Sequence, residues 1–444
     1  MAESSVSYKC PKCGAPLSFQ PGRDTVSCEY CGTEFEIAAI EAMFARDQEA
    51  ARRAAETKEA EFDTAAAGGE WSPEESSAMA MQTCSSCGAE LVSDGNTMAT
   101  ECAYCGSPNM MPAKFEGMVK PDFILPFKKT KKEAQEALQS FYKGKYLLPD
   151  GFAGANRTKD IQAMYVPFWL FDADVFARAN FRAENDVRRE TADEIITETS
   201  VYQCERAGSM HFARIPVDGS ERMDDAYMDS IEPFDYAELV LFSSAYLTGH
   251  LADKYDVDAE ASIPRADDRM RSTAIDTLQK TVKGYDRCSL TGDPSFLRES
   301  AAISYAMMPV WILTTRYEGK PYTFMMNGQT GKFVGSLPID KRKSWLYPAI
   351  ALAVFWPVLY FIVQYFMTSS GGLFMTAKIL GISFVLALGA AFLVRYILIA
   401  GMSNVHKAVK ADSYLEEESF SLVDSNDTFL YTQIKRQPKA KKES

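Results

Sequence analysis

Eight of the ten cysteines fall into two matching sets. Cys10-Pro-Lys-Cys13 is followed after fourteen residues by Cys28-Glu-Tyr-Cys31, and Cys84-Ser-Ser-Cys87, again after fourteen, by Cys102-Ala-Tyr-Cys105. A tight C-x-x-C turn aims two thiolates at one centre. An intervening hairpin returns a second pair to complete a tetrahedron, so this spacing predicts two structural Zn2+ sites, one per zinc ribbon. Four thiolates close each site and leave no position for a substrate. Gly14, Gly32, Gly88 and Gly106 each follow a knuckle directly, where a positive φ lets backbone amides turn towards sulfur. Disulfides and a redox dithiol are the competing uses of such pairs, and a repeated four-cysteine set in a reducing compartment fits metal better. Iron is bound by similar knuckles; zinc is the default. Each ribbon is too small to bury a core, so metal supplies most of its folding free energy, about 10–16 kcal/mol.

Other chemistry is sparse. Cys204 and Cys288 read as buried free thiols, and His211, seven residues after Cys204, lacks a second ligand pair. Gly144-Lys145, Gly319-Lys320 and Gly331-Lys332 are followed by Tyr146, Pro321 and Phe333, so none is a phosphate loop. His211, His250 and His406 lie outside any H-E-x-x-H, and no G-x-S-x-G occurs. The pairs Asp224-Asp225 and Asp267-Asp268 read as solvated faces or helix starts. From 1 to 40 three basic residues face five acidic ones, and from 82 to 112 three acidic residues face none, which cannot release many phosphate counterions. Nucleic acid is therefore not the expected partner of either ribbon. Ribbons of this charge bind protein or cap a neighbour.

The chain that positions these sites has 444 residues, too many for one compact core. Its 47% hydrophobic and 24% charged residues are those of a globular protein, with a net charge of −13. The expected organisation is zinc ribbon 1 over 1–40, a helical spacer and linker over 41–75, zinc ribbon 2 over 82–112, an α+β domain over 113–340, two transmembrane helices over 345–402 and a tail over 403–444. In the spacer, Ile37, Ile40 and Phe44 share a helical face, and the Gly-containing run Ala65–Pro73 reads as a flexible break.

In the α+β domain Thr130-Lys-Lys-Glu133 is a capping box that starts a helix. Met270, Ala274, Ile275, Leu278 and Val282 mark another helix, and the alternation from Ala173 to Ala183 predicts a half-buried strand. Glu318-Gly319-Lys320 and Asn327-Gly328 predict successive hairpin turns, so antiparallel sheet is prominent. Met164-Tyr-Val-Pro167-Phe-Trp169-Leu and Met308-Pro309-Val-Trp311-Ile share a Pro-x-Trp core, read as a duplicated sheet element with both Trp residues packed inside.

Trp345–Met367 is 23 residues without a charge, and Ile379–Val394 is the cleanest stretch of a second apolar run. A buried soluble helix pair is the alternative to two spans. Lys341-Arg342-Lys343 precedes the first run, Arg395, His406, Lys407 and Lys410 close or follow the second, and the connecting Thr368–Ala377 segment carries no basic residue but Lys378 just beyond it. That asymmetry places both termini in the cytoplasm. The hydrophilic opening residues enter a ribbon at once, so no signal peptide is expected. Lys435, Arg436, Lys439, Lys441 and Lys442 crowd the end, either touching anionic headgroups or lying in a solvated tail.

Cys10-Pro-Lys-Cys13-Gly-Ala-Pro-Leu, the second ribbon, the Pro-Phe-Trp-Leu-Phe strand, the Asn327-Gly-Gln-Thr-Gly-Lys turn and the membrane helices together resemble the bacterial TFIIB-type zinc-ribbon membrane proteins. The resemblance covers most of the chain, and the eight cysteines match the family's metal positions one for one. Some members carry a primosomal-helicase-like name, which the missing helicase phosphate loop argues against here. Some relatives are encoded beside phage-shock-protein-A-like membrane-stress proteins. The resemblance thus implies a scaffold that brings protein partners to the inner face of the membrane, while contact with membrane lipids is expected from the two apolar runs themselves. It transfers no catalytic residue. An enzyme with its site in the α+β domain, or nucleic-acid contact through the ribbons, is the alternative.

Overall fold

The computed structural model describes residues 8–438 apart from 20–23, 57, 96, 153–159, 192 and 368–372. The first ribbon holds β1 (Leu17–Phe19), β2 (Thr25–Cys28) and β3 (Glu34–Glu36), and runs directly into helix α1 (Ile37–Glu56). After α2 (Pro73–Ala78) the second ribbon supplies β4 (Ala80–Cys84), β5 (Glu90–Ser93) and β6 (Met110–Ala113). Then come β7 (Phe123–Ile124), α3 (Lys131–Tyr142), β8 (Gln162–Glu190), β9 (Glu194–Asp218), α4 (Asp225–Ile231), β10 (Val240–Leu241), β11 (Leu251–Asp253), α5 (Ala259–Lys280), β12 (Arg287–Tyr317), β13 (Lys320–Asn327) and β14 (Phe333–Gly335). Two apolar helices, α6 (Lys341–Met367) and α7 (Leu373–Ala400), precede a last strand, β15 (Ser421–Pro438).

Strands β4 to β15 form one mixed sheet, whose longest members, β8 and β12, pair antiparallel from Gln162↔Ile312 to Glu184↔Arg287. The run Met164–Phe171 is apolar at almost every position because both faces are covered there. Tyr165, Trp169 and Phe171 face the side of α5; Met164, Val166, Phe168 and Leu170 face α4 and the second ribbon. Beyond Ala173 the pattern alternates as expected, with Ala173, Val175, Ala177, Ala179, Phe181 and Ala183 buried on the α5 side. Both expected helices form, α3 with its reciprocal Thr130–Glu133 cap and α5 with Met270, Ala274 and Leu278 inward. The two hairpin turns close β12 on β13 and β13 on β14.

The Pro-x-Trp repeat is part of a larger duplication. The two copies lie on neighbouring strands about the pair Val166↔Met308. The Trp169 indole donates to the carbonyl of Val257, just before the Asp258 cap of α5, at 2.9 Å; the Trp311 indole donates to that of Lys129, just before the Thr130 cap of α3, also at 2.9 Å. The Gly219 amide donates to Pro167 and the Gly328 amide to Pro309. In turn the Gly219 carbonyl accepts from Asp256 and Val257, and the Gly328 carbonyl from Lys128 and Lys129. A Cβ at Gly328 would stand 2.6 Å from the Phe127 ring, so the approach needs glycine. The units are therefore β7-α3-β8-β9 and β11-α5-β12-β13. Their first strands are exchanged: β7 pairs parallel with β12, and β11 parallel with β8.

Three expectations change. The second ribbon is not a unit apart from the α+β domain, because β5 pairs antiparallel with β11 through Val92↔Ala252 and Leu91↔Asp253. The Ala65–Pro73 run is no flexible break. Phe62 and Ala67 are buried, the Gly68 amide donates to the Asp122 carboxylate at 2.8 Å, and the Trp71 indole donates to the Met118 carbonyl while its ring meets Phe115 and Phe242. A Gly-Gly pair beside two large aromatics reads locally as a hinge, but the aromatics fasten it. The tail up to Pro438 is built into the fold: Tyr414 is buried, and β15 pairs with β9 along its length, which sets Lys435 and Arg436 on a strand with their side chains exposed. Lys439, Lys441 and Lys442 lie outside the described residues.

Candidate metal centres and their surroundings

The structure brings each four-cysteine set together. In the first, Cys10 and Cys31 sulfurs are 3.7 Å apart and Cys13 and Cys28 3.5 Å; in the second, Cys84 and Cys105 are 3.8 Å apart and Cys87 and Cys102 3.6 Å. All four sulfurs of a set lie within 4.8 Å of one another. A thiolate tetrahedron with metal–sulfur bonds of about 2.3 Å has edges of about 3.8 Å, so the donor sets fit a tetrahedral metal ion such as zinc.

Each knuckle is built the same way. The amide of its first cysteine donates across the turn to Ala15, Thr33, Ala89 or Ser107, and the following glycine amide donates back to that cysteine's carbonyl at 2.7–2.9 Å. Gly14 and Gly88 sit at φ +74°, Gly32 and Gly106 at +66°, the left-handed region that the turn requires. Electrostatics split each set. Burial alone would raise the Cys31 thiol, but the Thr33 hydroxyl and amide, with its sulfur neighbours, hold it down at about 6. Burial is likewise opposed at Cys84, where the Cys87 and Ser86 amides keep it at about 7. Burial pushes Cys10 up to about 12 and raises Cys102 well above the usual thiol range. Metal binding must displace the remaining protons, so acid favours release.

The two centres differ in their footing. The first ribbon leans on the sheet through few groups: Phe35 meets the Tyr431 ring edge-on at 5.8 Å, Ile40 and Met43 of α1 are buried in the same cluster as Val201 and Leu430, and Arg46 pairs with Glu205 at 2.8 Å. A cavity of about 510 Å³ lies between that ribbon and β15, lined by Lys12, Thr33, Phe35, Tyr431 and Ile434 among others. The second ribbon is built in. Thr314 donates to the Ala103 carbonyl at 2.9 Å and Lys254 pairs with Glu90 at 2.9 Å. Tyr104, inside the second knuckle, is half-buried, with its buried hydroxyl beside Asp253 of β11.

Residues outside the knuckles mostly serve architecture. Asp224 caps α4, as a helix start would, while Asp225 reaches Arg265 at 3.0 Å. Asp267 is no helix start; it lies within α5 and pairs with Arg298 at 3.0 Å. His211 pairs with Asp174 at 2.8 Å and so gives Cys204 no ligand partner. Cys204 is buried and Cys288 half-buried. Sequence reasoning missed a buried ionic cluster. Asp218, Asp225 and Asp229 converge on Arg265 at 2.7, 3.0 and 2.5 Å beside a cavity of about 470 Å³, and Arg269 pairs with Glu232 at 2.6 Å. Burial pushes Asp218 up to about 6 against the pull of Arg265. The only local signal was an unusual density of charge on a helix that also carries a core face. The cluster also grips the chain that leaves α7: Asp229 accepts from the Ala408 amide and Glu232 from the Tyr414 hydroxyl, each at 2.8 Å.

The helices α6 and α7 are long and apolar enough to cross a membrane, and few of their side chains are buried. They lie antiparallel, with Trp356 against Phe384 at one level and Arg395 over the Trp345 ring at another.

These features define a class: proteins with two closed four-cysteine centres, one leaning on and one built into a large mixed sheet, followed by two apolar helices. The chain belongs to the family of the uncharacterized protein YdjG of Bacillus subtilis (strain 168), to which it is 32% identical over 340 residues, 76% of this chain and 92% of that protein. No family model matches the chain, and no solved structure does.

Proposed function

We propose that this protein is a membrane-anchored scaffold of the TFIIB-type zinc-ribbon kind. It carries two structural Zn2+ ions, spans the membrane twice with both termini in the cytoplasm, and brings protein partners to the inner face, in the setting of envelope stress that the family resemblance implies. The observation that carries the reading is the free margin of β15. Among the described residues this strand pairs with β9 alone; the first ribbon leans on its Tyr431 stretch, with Ile434 beside that ribbon's cavity, and away from the ribbon Val423, at a bulge in the β9 pairing, is 59% exposed. Long open edges are templates for an added strand, which proteins otherwise blunt. The closed thiolate centres and the acidic ribbons favour a protein occupant over substrate or nucleic acid.

The test uses the full chain purified from native membranes. Charged substitutions at the margin, V423K and I434K, should release partners that copurify with the wild type, while the metal content stays at two zinc ions per chain. Identical partners from both forms would defeat the scaffold reading.

A further inference from the structure

Arg395 raises a problem of charge. It sits five residues before the end of α7, roughly 7.5 Å along the axis, inside a stretch that is otherwise apolar. Its guanidinium lies 4.3 Å from the centre of the Trp345 ring. Its Nε is buried without a hydrogen-bond partner, and no carboxylate among the described residues pairs with it. A cation at that depth is costly unless it meets an anion or reaches the polar layer.

The neighbouring surface points the same way. The loop after α3 packs against this end of the helix pair: Leu147 and Leu148 share a cluster with Tyr347, Leu398 and Ile399, and the Tyr146 ring meets that of Tyr347 at 6.1 Å. Tyr146 is 62% exposed, as amphipathic rings at a bilayer surface are. Of the acids at this end, Asp150 is paired with Lys343, and Asp340, which keeps its charge, accepts from the first amides of α6. Lys341 and Arg342, on the turn of α6 that precedes Trp345, and Lys143, three residues before Tyr146, are exposed.

We propose that this end of the helix pair binds an anionic phospholipid, with Arg395 taking the headgroup phosphate beneath Trp345 and Lys143, Lys341 and Arg342 supplying the surrounding positive field. The inference rests on the membrane-spanning reading. Net positive charge around the phosphate selects an anionic over a zwitterionic lipid, because the choline or ethanolamine cation would be repelled.

The full chain is reconstituted in phosphatidylcholine vesicles containing a small fraction of either dibrominated phosphatidylglycerol or dibrominated phosphatidylcholine. Quenching of Trp345 is read as the difference between wild type and W345F. The brominated phosphatidylglycerol should quench roughly fivefold more effectively, the equivalent of the ~1 kcal/mol that a basic group gains near an anionic surface. R395Q should abolish most of that excess, and K341Q/R342Q, whose changes are exposed and outside the core, should reduce it. Equal quenching by the two lipids overturns the lipid site while leaving the anchor intact. A chain that a carbonate wash strips from the vesicles overturns the membrane reading itself.

Discussion

Asp253 is fully buried on β11, and neither carboxylate oxygen has a hydrogen-bond partner. Burial pushes it up to about 7, with the nearby Tyr104 and Ser220 hydroxyls pulling the other way. Its pKa in the folded chain is thus above the ordinary 3.8. The stability it permits is complete below that value and lost as pH rises through about 7. Each unit of difference is about 1.4 kcal/mol, so D253N should be more stable than the wild type by a few kcal/mol above pH 7 and should converge with it in acid. Thermal unfolding followed by circular dichroism on either side of neutrality reads this, and parallel pH profiles would contradict it. The two indoles invite a paired test. W169F and W311F each leave a partly buried carbonyl without its indole donor, at a cost of about 1 kcal/mol, and the duplication makes the two losses similar. Denaturant midpoints that differ widely would show that the two units do not share this joint. The Pro-x-Trp signature was readable in the chain, since proline and tryptophan are distinctive residues. The acceptors were not, because each belongs to the other unit's helix entry, across an exchanged strand. The ion cluster around Arg265 was equally invisible: aspartates on separate elements carry no common spacing.

At the scale of elements, the cysteine spacing was sufficient to locate both centres because a knuckle is a local object, closed by bonds within about six residues. What each ribbon leans on is a long-range matter. β5 finds its partner in β11, some 160 residues later, and β15 finds β9 more than 200 residues earlier. No local pattern announces either pairing, so the second ribbon read as a separate unit and the tail as a headgroup contact or a solvated end. The difference has a measurable outcome. C10S/C13S should lose one of two metal ions and leave the unfolding temperature of the sheet nearly unchanged. C84S/C87S should lose the other and also lower that temperature, since β4 to β6 are strands of the same sheet. Metal analysis by mass spectrometry with scanning calorimetry distinguishes the two; equal calorimetric effects would mean that the second ribbon unfolds independently.

For the whole molecule, the helix pair is joined to the sheet at both ends. The Leu337 amide donates to the Met402 carbonyl, and the Asn404 side chain accepts from the Gly335 amide and donates to the Phe333 carbonyl. Entry and exit therefore lie on one side of the helix pair, which on the proposed topology is the cytoplasmic side. A single cysteine placed at Ser370, which lies outside the described residues, should react with an impermeant maleimide on intact cells, and one placed at Ser421 should react only after lysis. The reverse pattern would invert the orientation.

The position of β15 also gives synthesis an order. The margin of β9 is complete by Asp218, but its partner begins at Ser421, beyond both apolar helices. At roughly 5–20 residues per second, the ribosome needs about 10–40 s to span that interval. During that time the nascent sheet carries an unsealed edge, and the strand that seals it emerges only after both apolar helices have been made. Translation thus leaves the sheet incomplete until both apolar helices lie behind the ribosome's point of synthesis.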